Sequence, residues 1–120
     1  LYVSGQIPRV GDQVVATGRA GAEVSLEQAR AAARISTLRA LALLQRALGS
    51  LDQVDRILRI TVYVQCTPDF TQHSEVADAA SDLLHTVLGE AGIHARTSIG
   101  VYQLPKNATV ELELQAAALA

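Results

Sequence analysis

One apolar stretch near the middle of the chain constrains the fold most. Residues 57–66 read ILRITVYVQC, and Thr67, Pro68 and Asp69 follow directly as turn formers. β-Branched and aromatic side chains fit a pleated, buried surface, and the stretch is short for a helix, so it predicts a central β-strand. The chain must therefore build a sheet around this segment.

Two helices are predicted on either side of that strand. The first begins at Ser25, because Ser25 and Gln28 in SLEQ form a capping-box signature, and Gly49 ends it as a C-terminal glycine. Its apolar side chains recur every three or four residues, which indicates an amphipathic helix with an alanine-lined contact face. The second helix is predicted from about Phe70 to Leu88 by the same spacing.

Strand patterns occupy both ends of the chain. Residues Leu1–Gln6 and Gln13–Thr17, with a turn at Gly11 and Asp12, predict a hairpin-like opening. The order β-β-α-β-α-β-β then predicts a single α+β domain over residues 1–120, with two helices packed on one face of a mixed sheet.

The last two strands are predicted to form a hairpin over His94–Glu113, HARTSIGVYQLPKNATVELE. Because side chains alternate along a strand, Arg96 and Ser98 share one face, and Glu111 and Glu113 share one side of the next strand. The pattern predicts that an arginine and a glutamate side chain both face one shared site.

The sheet face without helices is expected to carry Val62, Val64, Ile99 and Val101, or their neighbours. Such a face is too apolar to contact water over its whole area, so we expect a partner subunit to cover it. Association of identical subunits is the simplest way to close the surface.

Composition excludes several classes of function. With 49% hydrophobic but only 3% aromatic residues the core must be aliphatic. A net charge of −2 with scattered Lys and Arg argues against nucleic-acid binding.

The single cysteine, Cys66, favours a reducing, cytoplasmic setting. Arginines interrupt the most apolar helix, which argues against a membrane span. His73, His85, His94 and Cys66 lack the spacing of metal ligands, so no metal site is predicted.

Several segments together resemble the Rid family, also called YjgF/YER057c/UK114 or L-PSP. They are LYVSGQIP at the start, SLDQVDRILRITVYV in the middle, the turn at Asp69 and Phe70, and HARTSIGVYQLPKNATVELE near the end. The resemblance spans nearly the whole chain in the expected order. The HARTSIGV and ASDLL segments indicate a less characterised branch.

This resemblance implies a chorismate-mutase-like fold and a homotrimer whose sheets form a central barrel, with ligand clefts between subunits. It also implies hydrolysis of 2-imino acids, derived from enamines, to 2-oxo acids and ammonia without a cofactor or metal. The expected partners are a small 2-imino or 2-oxo acid and copies of the chain. An alternative is a non-catalytic module that binds a small carboxylate in the same cleft. A ribonuclease, suggested by the family's older name, is disfavoured by the lack of basic surface and of a histidine pair.

Two residues match the expected catalytic positions of the family. Arg96 matches the site arginine, and a planar guanidinium suits a bidentate grip on a carboxylate. The alternative for Arg96 is a buried ion pair with a glutamate of the sheet. Glu111 matches the glutamate that positions the attacking water, and the alternative is a rim charge on an exposed strand.

Five residues match the expected substrate contacts: Ser4, Gly5, Phe70, Ser74 and Ser98. Ser4 and Gly5 match a backbone-and-hydroxyl contact, although Gly5 also fits a plain turn. Phe70 matches an apolar wall from a neighbouring subunit, or else a core residue. Ser98 stands where several deaminases carry cysteine and Ser74 where they carry asparagine, which changes the available hydrogen bonds.

The family's cleft-closing tyrosine would precede Leu1. We therefore expect the sequence to lack the N-terminal segment of the family domain, and we expect a more open pocket without that tyrosine.

Overall fold

A four-stranded sheet, a two-stranded ribbon and two long helices make up the computed structural model, which describes all 120 residues. The strands are β1 (Tyr2–Gln6), β2 (Arg9–Val10), β3 (Gln13–Val14), β4 (Val54–Gln65), β5 (Ala95–Val101) and β6 (Val110–Ala118), and the helices are α1 (Leu26–Leu48) and α2 (His73–Leu88). Short 3₁₀ turns lie at Leu51–Gln53, Gly89–Gly92 and Pro105–Asn107.

The predicted ends of α1 are confirmed. The Ser25 hydroxyl accepts a hydrogen bond from the Gln28 backbone N–H at 3.1 Å, and the Gln28 side chain accepts one from the Ser25 backbone at 2.8 Å. Gly49 ends the helix in the left-handed conformation, with φ of 84°. Neither helix combines the length and the hydropathy that a bilayer crossing needs.

Helix α2 starts at His73, later than the predicted Phe70. The Phe70 N–H donates to the Thr67 carbonyl at 3.2 Å, so the residues after β4 form a turn before the helix begins. Apolar side chains of both helices pack on one face of the sheet, against Ile60, Val62 and Val64 of β4. The prediction of two helices on one face of a mixed sheet is confirmed, and its core is aliphatic.

The predicted hairpin over His94–Glu113 is wrong. The strand order is β1-β6-β4-β5, so β4 separates the two strands and pairs with both, parallel to β5 and antiparallel to β6. Helix α2 supplies the crossover that a parallel pair requires. The connection after β5 passes the end of β4, where the Gln65 side chain accepts a hydrogen bond from the Leu104 N–H at 2.7 Å.

The predicted opening hairpin is also wrong in its pairing. Strand β1 pairs with β6, Tyr2 opposite Gln115 and Val3 opposite Leu114, whereas β2 and β3 form a separate ribbon. The turn of that ribbon lies at Gly11, with φ of 60°, as the sequence predicts. Strand β1 thus finds its partner at the far end of the chain, and Val3 of β1 and alternate residues of β6 are buried.

The sheet face away from the helices, called the open face below, differs from the expectation in β4, whereas Ile99 of β5 lies on it as expected. Val62 and Val64 have no exposed surface and face the helices, so the open face carries Thr61 and Tyr63 of β4 instead. In register with these lie Thr97 and Ile99 of β5 and Glu113 and Glu111 of β6. The error has a simple cause, since a shift of one residue moves a whole strand to its other face.

Candidate functional site

Glu111 lies on the open face against Gly5 of the neighbouring strand β1. A Cβ atom built on Gly5 would lie 2.6 Å from both Cδ and Oε2 of Glu111, so only glycine leaves room for this carboxyl group. Ser4 precedes Gly5 and is exposed. The structure thus brings Gly5 and Glu111 together, whereas Ser4 lines a cavity with Glu113. We call Ser4, Gly5 and Glu111 the Glu111 half-site. The lack of a side chain at Gly5 therefore allows the Glu111 carboxyl group to approach the backbone of β1, and Gly5 does not form a plain turn.

The surroundings of Glu111 favour its protonated form. Burial raises the pKa of Glu111, and the negative charge of Glu113 on the same strand face raises it further. The Tyr63 hydroxyl donates to Glu113 Oε1 at 2.7 Å, and this hydrogen bond is the main reason that the pKa of Tyr63 is raised. A raised pKa makes a carboxyl group a better proton acceptor, which suits it to taking up and returning a proton in a reaction.

Arg96 lies on the helix side of the sheet and is held by α2. Its Nη1 donates to Asp78 Oδ1 at 2.8 Å and to Ser81 Oγ at 3.1 Å. The pair with Asp78 is partly exposed, with relative side-chain exposures of 25% and 51%. The alternative of a buried pair with a sheet glutamate is wrong, because the partner is an aspartate of the helix.

A hydrogen-bond chain extends from Arg96 to His94. Ser81 Oγ lies 2.9 Å from His94 Nε2, and His94 Nδ1 lies 2.6 Å from the Gly92 carbonyl oxygen. Because a carbonyl only accepts, His94 Nδ1 carries a hydrogen and donates it to the Gly92 carbonyl oxygen. We call Arg96, Asp78 and Ser81 the Arg96 half-site.

Sequence reasoning missed Asp78 and Ser81 as partners of the arginine. Their spacing of three residues places them on one face of α2, which is the available signal. It also missed Tyr63, whose place in an apolar strand suggests a buried aromatic residue and not a partner for Glu113.

The remaining predicted site residues are dispersed. Ser98 faces the same side as Arg96, since it pairs with Val62, but its hydroxyl makes no hydrogen bond within the chain. Ser74 is exposed in the first turn of α2. Phe70 lies in a different cavity from Arg96, with its ring 5.5 Å from the His73 ring in an edge-on arrangement.

One chain does not bring the two half-sites together. Arg96 is in register with Ile60 on the helix side, and Glu111 is opposite Tyr63 on the open face. Their strands are separated by β4, which places the two backbones about 10 Å apart across the sheet. A small substrate that contacts both residues therefore needs two copies of the chain.

Known proteins are similar to this chain in sequence or in fold. Protein TCP17 of Trypanosoma cruzi is 44% identical over 114 residues, which cover 94% of this chain and 71% of that protein. The crystal structure of Atu1372 from Agrobacterium tumefaciens superposes with a TM-score of 0.96 at 36% identity, covering 98% of this chain and 75% of that one. A Shewanella oneidensis structure follows with a TM-score of 0.94 and 32% identity, covering 98% and 78%.

A family model covers almost the full length of the chain. The family described as "YjgF/chorismate mutase-like, putative endoribonuclease" matches residues 1–117. The Escherichia coli YjgF gene product has a TM-score of 0.56 at 26% identity, covering 99% of this chain and 80% of that one. The chain therefore belongs to the YjgF/chorismate mutase-like family, the Rid family.

Proposed function

We propose that this protein hydrolyses 2-imino acids to 2-oxo acids and ammonia in a cleft formed between copies of the chain. The observation that carries the proposal is the Glu111 carboxyl group, seated against Gly5 with its pKa raised. Hydrolysis of a C=N bond needs a group that takes a proton from water and returns it to the departing nitrogen. Membership of the Rid family supports the same reaction.

Arg96 is proposed to bind the substrate carboxylate. Only its Nη1 is engaged by Asp78 and Ser81, so Nε and Nη2 remain available for a bidentate contact. Because Asp78 and Ser81 already orient the guanidinium, less side-chain entropy is lost when the substrate binds. The substrate's electrophilic carbon then faces the Glu111 half-site of a neighbouring copy.

The proposed reaction starts from the protonated imine and proceeds in three proton transfers. The Glu111 carboxylate takes a proton from water while the water oxygen forms a bond to the imine carbon and the C=N π electron pair moves to the nitrogen, which gives a neutral tetrahedral aminol. Glu111 then returns the proton to the nitrogen, and the C–N bond breaks with its electron pair on the nitrogen as the C=O bond forms. The hydroxyl proton passes through Glu111 to the ammonia, which leaves as ammonium. Water is the sole co-reactant, and no cofactor or metal takes part.

A cyclic homotrimer is the proposed assembly. In a ring of identical copies each chain can give Arg96 to one cleft and Glu111 to the next, which joins the half-sites that one chain keeps apart. The open face, with Tyr63 and Ile99 among its residues, would line the inside of the resulting barrel.

The activity can be measured with imines made in situ by an amino-acid oxidase. We expect the protein to accelerate imine decay, and we expect Glu111→Gln to reduce the rate by about 10²-fold or more, the usual contribution of a general acid–base group. Arg96→Ala should raise KM, whereas the exposed Arg34→Ala on α1 serves as a control and should match the wild type. Decay no faster than in buffer would contradict the proposal.

The alternative is a non-catalytic module that binds small carboxylates. The Arg96 half-site favours this module, because the two free guanidinium nitrogens of Arg96 can bind a carboxylate without any contribution from Glu111. Calorimetric titration with 2-oxobutyrate separates the two functions, since binding that is lost in Arg96→Ala without any imine hydrolysis supports the module. RNA is a poor candidate ligand for a chain with a net charge of −2.

A further inference from the structure

A second cavity lies near the C-terminal end of β5, away from Arg96. Its volume is about 420 Å³, and it contains no residue of either half-site. The residues that matter to its chemistry are Arg19, Cys66, Phe70, His73, Gly100 and Tyr102. Phe70 was expected to form a wall of the substrate cleft. It lies instead in this separate cavity, which has reactive groups of its own.

A thiol and an imidazole are in contact inside this cavity. Cys66 Sγ lies 3.4 Å from His73 Nε2, and the edge-on Phe70 ring packs beside the imidazole. Gly100 makes the contact possible, because a Cβ atom there would lie 2.7 Å from His73 Nε2 and 3.0 Å from Cys66 Sγ. The glycine thus keeps the space above the sulfur and the ring nitrogen open.

A positive charge without a carboxylate partner lines the same cavity. The Arg19 guanidinium stacks over the Tyr102 ring at 4.8 Å, and its Nη1 donates to the Cys66 carbonyl oxygen at 3.2 Å. Arg19 forms no salt bridge, since the ion pair in this structure joins Arg96 to Asp78. Glu23 accepts a hydrogen bond from the backbone N–H of Arg19 and does not pair with its guanidinium. A fixed guanidinium beside apolar walls favours a small organic anion.

The geometry points to a binding site for small carboxylates that carry an electrophilic carbon, with Arg19 holding the carboxylate and Cys66 forming the covalent bond. The Cys66 sulfur attacks the electrophilic carbon while its proton moves to His73 Nε2. With an α,β-unsaturated carboxylate, the π electron pair moves to the α-carbon, which then takes the proton. With a haloacetate, the halide leaves with the electrons of its bond.

The need for His73 follows from the state of the thiol. Burial raises the pKa of Cys66, and the nearby Arg19 charge only partly opposes this effect. Cys66 is therefore a thiol at neutral pH, and the thiolate is the nucleophilic form, so a base must accept the proton during the reaction.

Alkylation of Cys66 tests the proposal, because this residue is the sole cysteine of the chain and intact-protein mass spectrometry reports its modification. The rate constants for iodoacetate and iodoacetamide are measured, and their ratio is compared with the same ratio for glutathione. We expect the ratio in the protein to exceed that of glutathione about fivefold, which corresponds to one screened charge contact. Added salt should lower it.

Variants identify the groups responsible. Arg19→Gln should return the ratio to the glutathione value, whereas Arg34→Gln, at an exposed position on α1, should leave it unchanged. His73→Gln should slow both reagents alike. Far-UV circular dichroism melts check that each variant is folded, and the salt dependence of the wild type provides a test that needs no variant.

Three results would overturn the proposal. They are a wild-type ratio equal to that of glutathione, an unmodified Cys66 in folded protein, and equal effects of Arg19→Gln and Arg34→Gln. The test makes no use of imine hydrolysis, so its failure and that of the proposed function are distinguishable.

Discussion

At the scale of single residues, Gly5 links the backbone of β1 to the carboxyl group of Glu111. We expect Gly5→Ala to lower imine hydrolysis at least about tenfold while costing little stability, because the new Cβ displaces only the end of a flexible side chain. Gly92→Ala is the contrast, since its Cβ would lie 2.3 Å from the Leu84 carbonyl oxygen in the backbone of α2. This variant should lose about 1–3 kcal/mol of stability.

Thermal melts and imine-decay assays of both variants check this pair of expectations. A fully active Gly5→Ala would show that the position of the Glu111 carboxyl group is unimportant for the reaction.

The pH dependence of stability reports the environment of Glu111. Its pKa is raised in the folded protein, so between the usual glutamate pKa of about 4.3 and the raised value the folded state binds more protons than the unfolded state. Stability therefore falls as pH rises through this window, and the ionised carboxylate remains destabilising above it. We expect Glu111→Gln to be more stable than the wild type at pH 7.

Urea unfolding at a fixed protein concentration, repeated from about pH 4 to pH 7, measures the difference between the two proteins. The advantage of Glu111→Gln should shrink towards the acid end, where the wild-type carboxyl group is protonated. A difference that stays constant with pH would contradict the raised pKa.

At the scale of elements, the start of α1 rests on its capping box. Ser25→Ala removes the hydroxyl that accepts from the Gln28 N–H, and we expect it to lower the free energy of unfolding by about 1 kcal/mol. Ser74→Ala is the matched control, because Ser74 is exposed in the first turn of α2 and caps nothing. Equal urea midpoints for Ser25→Ala and the wild type would contradict the assigned role of the cap.

The ends of α1 were predictable because their signals are local. Ser25, Gln28 and Gly49 act within one turn of the helix end that they mark. Strand pairing is not local, and the apparent hairpin of residues 94–113 was wrong because β4, which precedes both strands in the sequence, lies between them. The sequence pattern located β5 and β6 but did not indicate their neighbours.

At the scale of the whole molecule, the separation of the half-sites predicts complementation. Arg96→Ala should be impaired alone by its raised KM, and Glu111→Gln by its lowered rate. A 1:1 mixture refolded together should regain activity, because about a quarter of all its clefts join two intact half-sites. The mixture is compared with each variant refolded alone and with the wild type. The formation of mixed oligomers is verified by native mass spectrometry. If these oligomers regain no activity, either both residues act within one chain or the cleft between copies is not the active site.

The sequence by itself determined the α+β class and the aliphatic core, which depend on composition, periodicity and local turn chemistry, all properties of neighbouring residues. The family and the residues of the candidate site came from the resemblance of several sequence segments to a known family. Only the tertiary structure decided that Arg96 pairs with Asp78, that Gly5 lies beneath Glu111, and that Arg96 and Glu111 occupy opposite faces. Those relations depend on strand order and register, which arise when segments distant in sequence pack together.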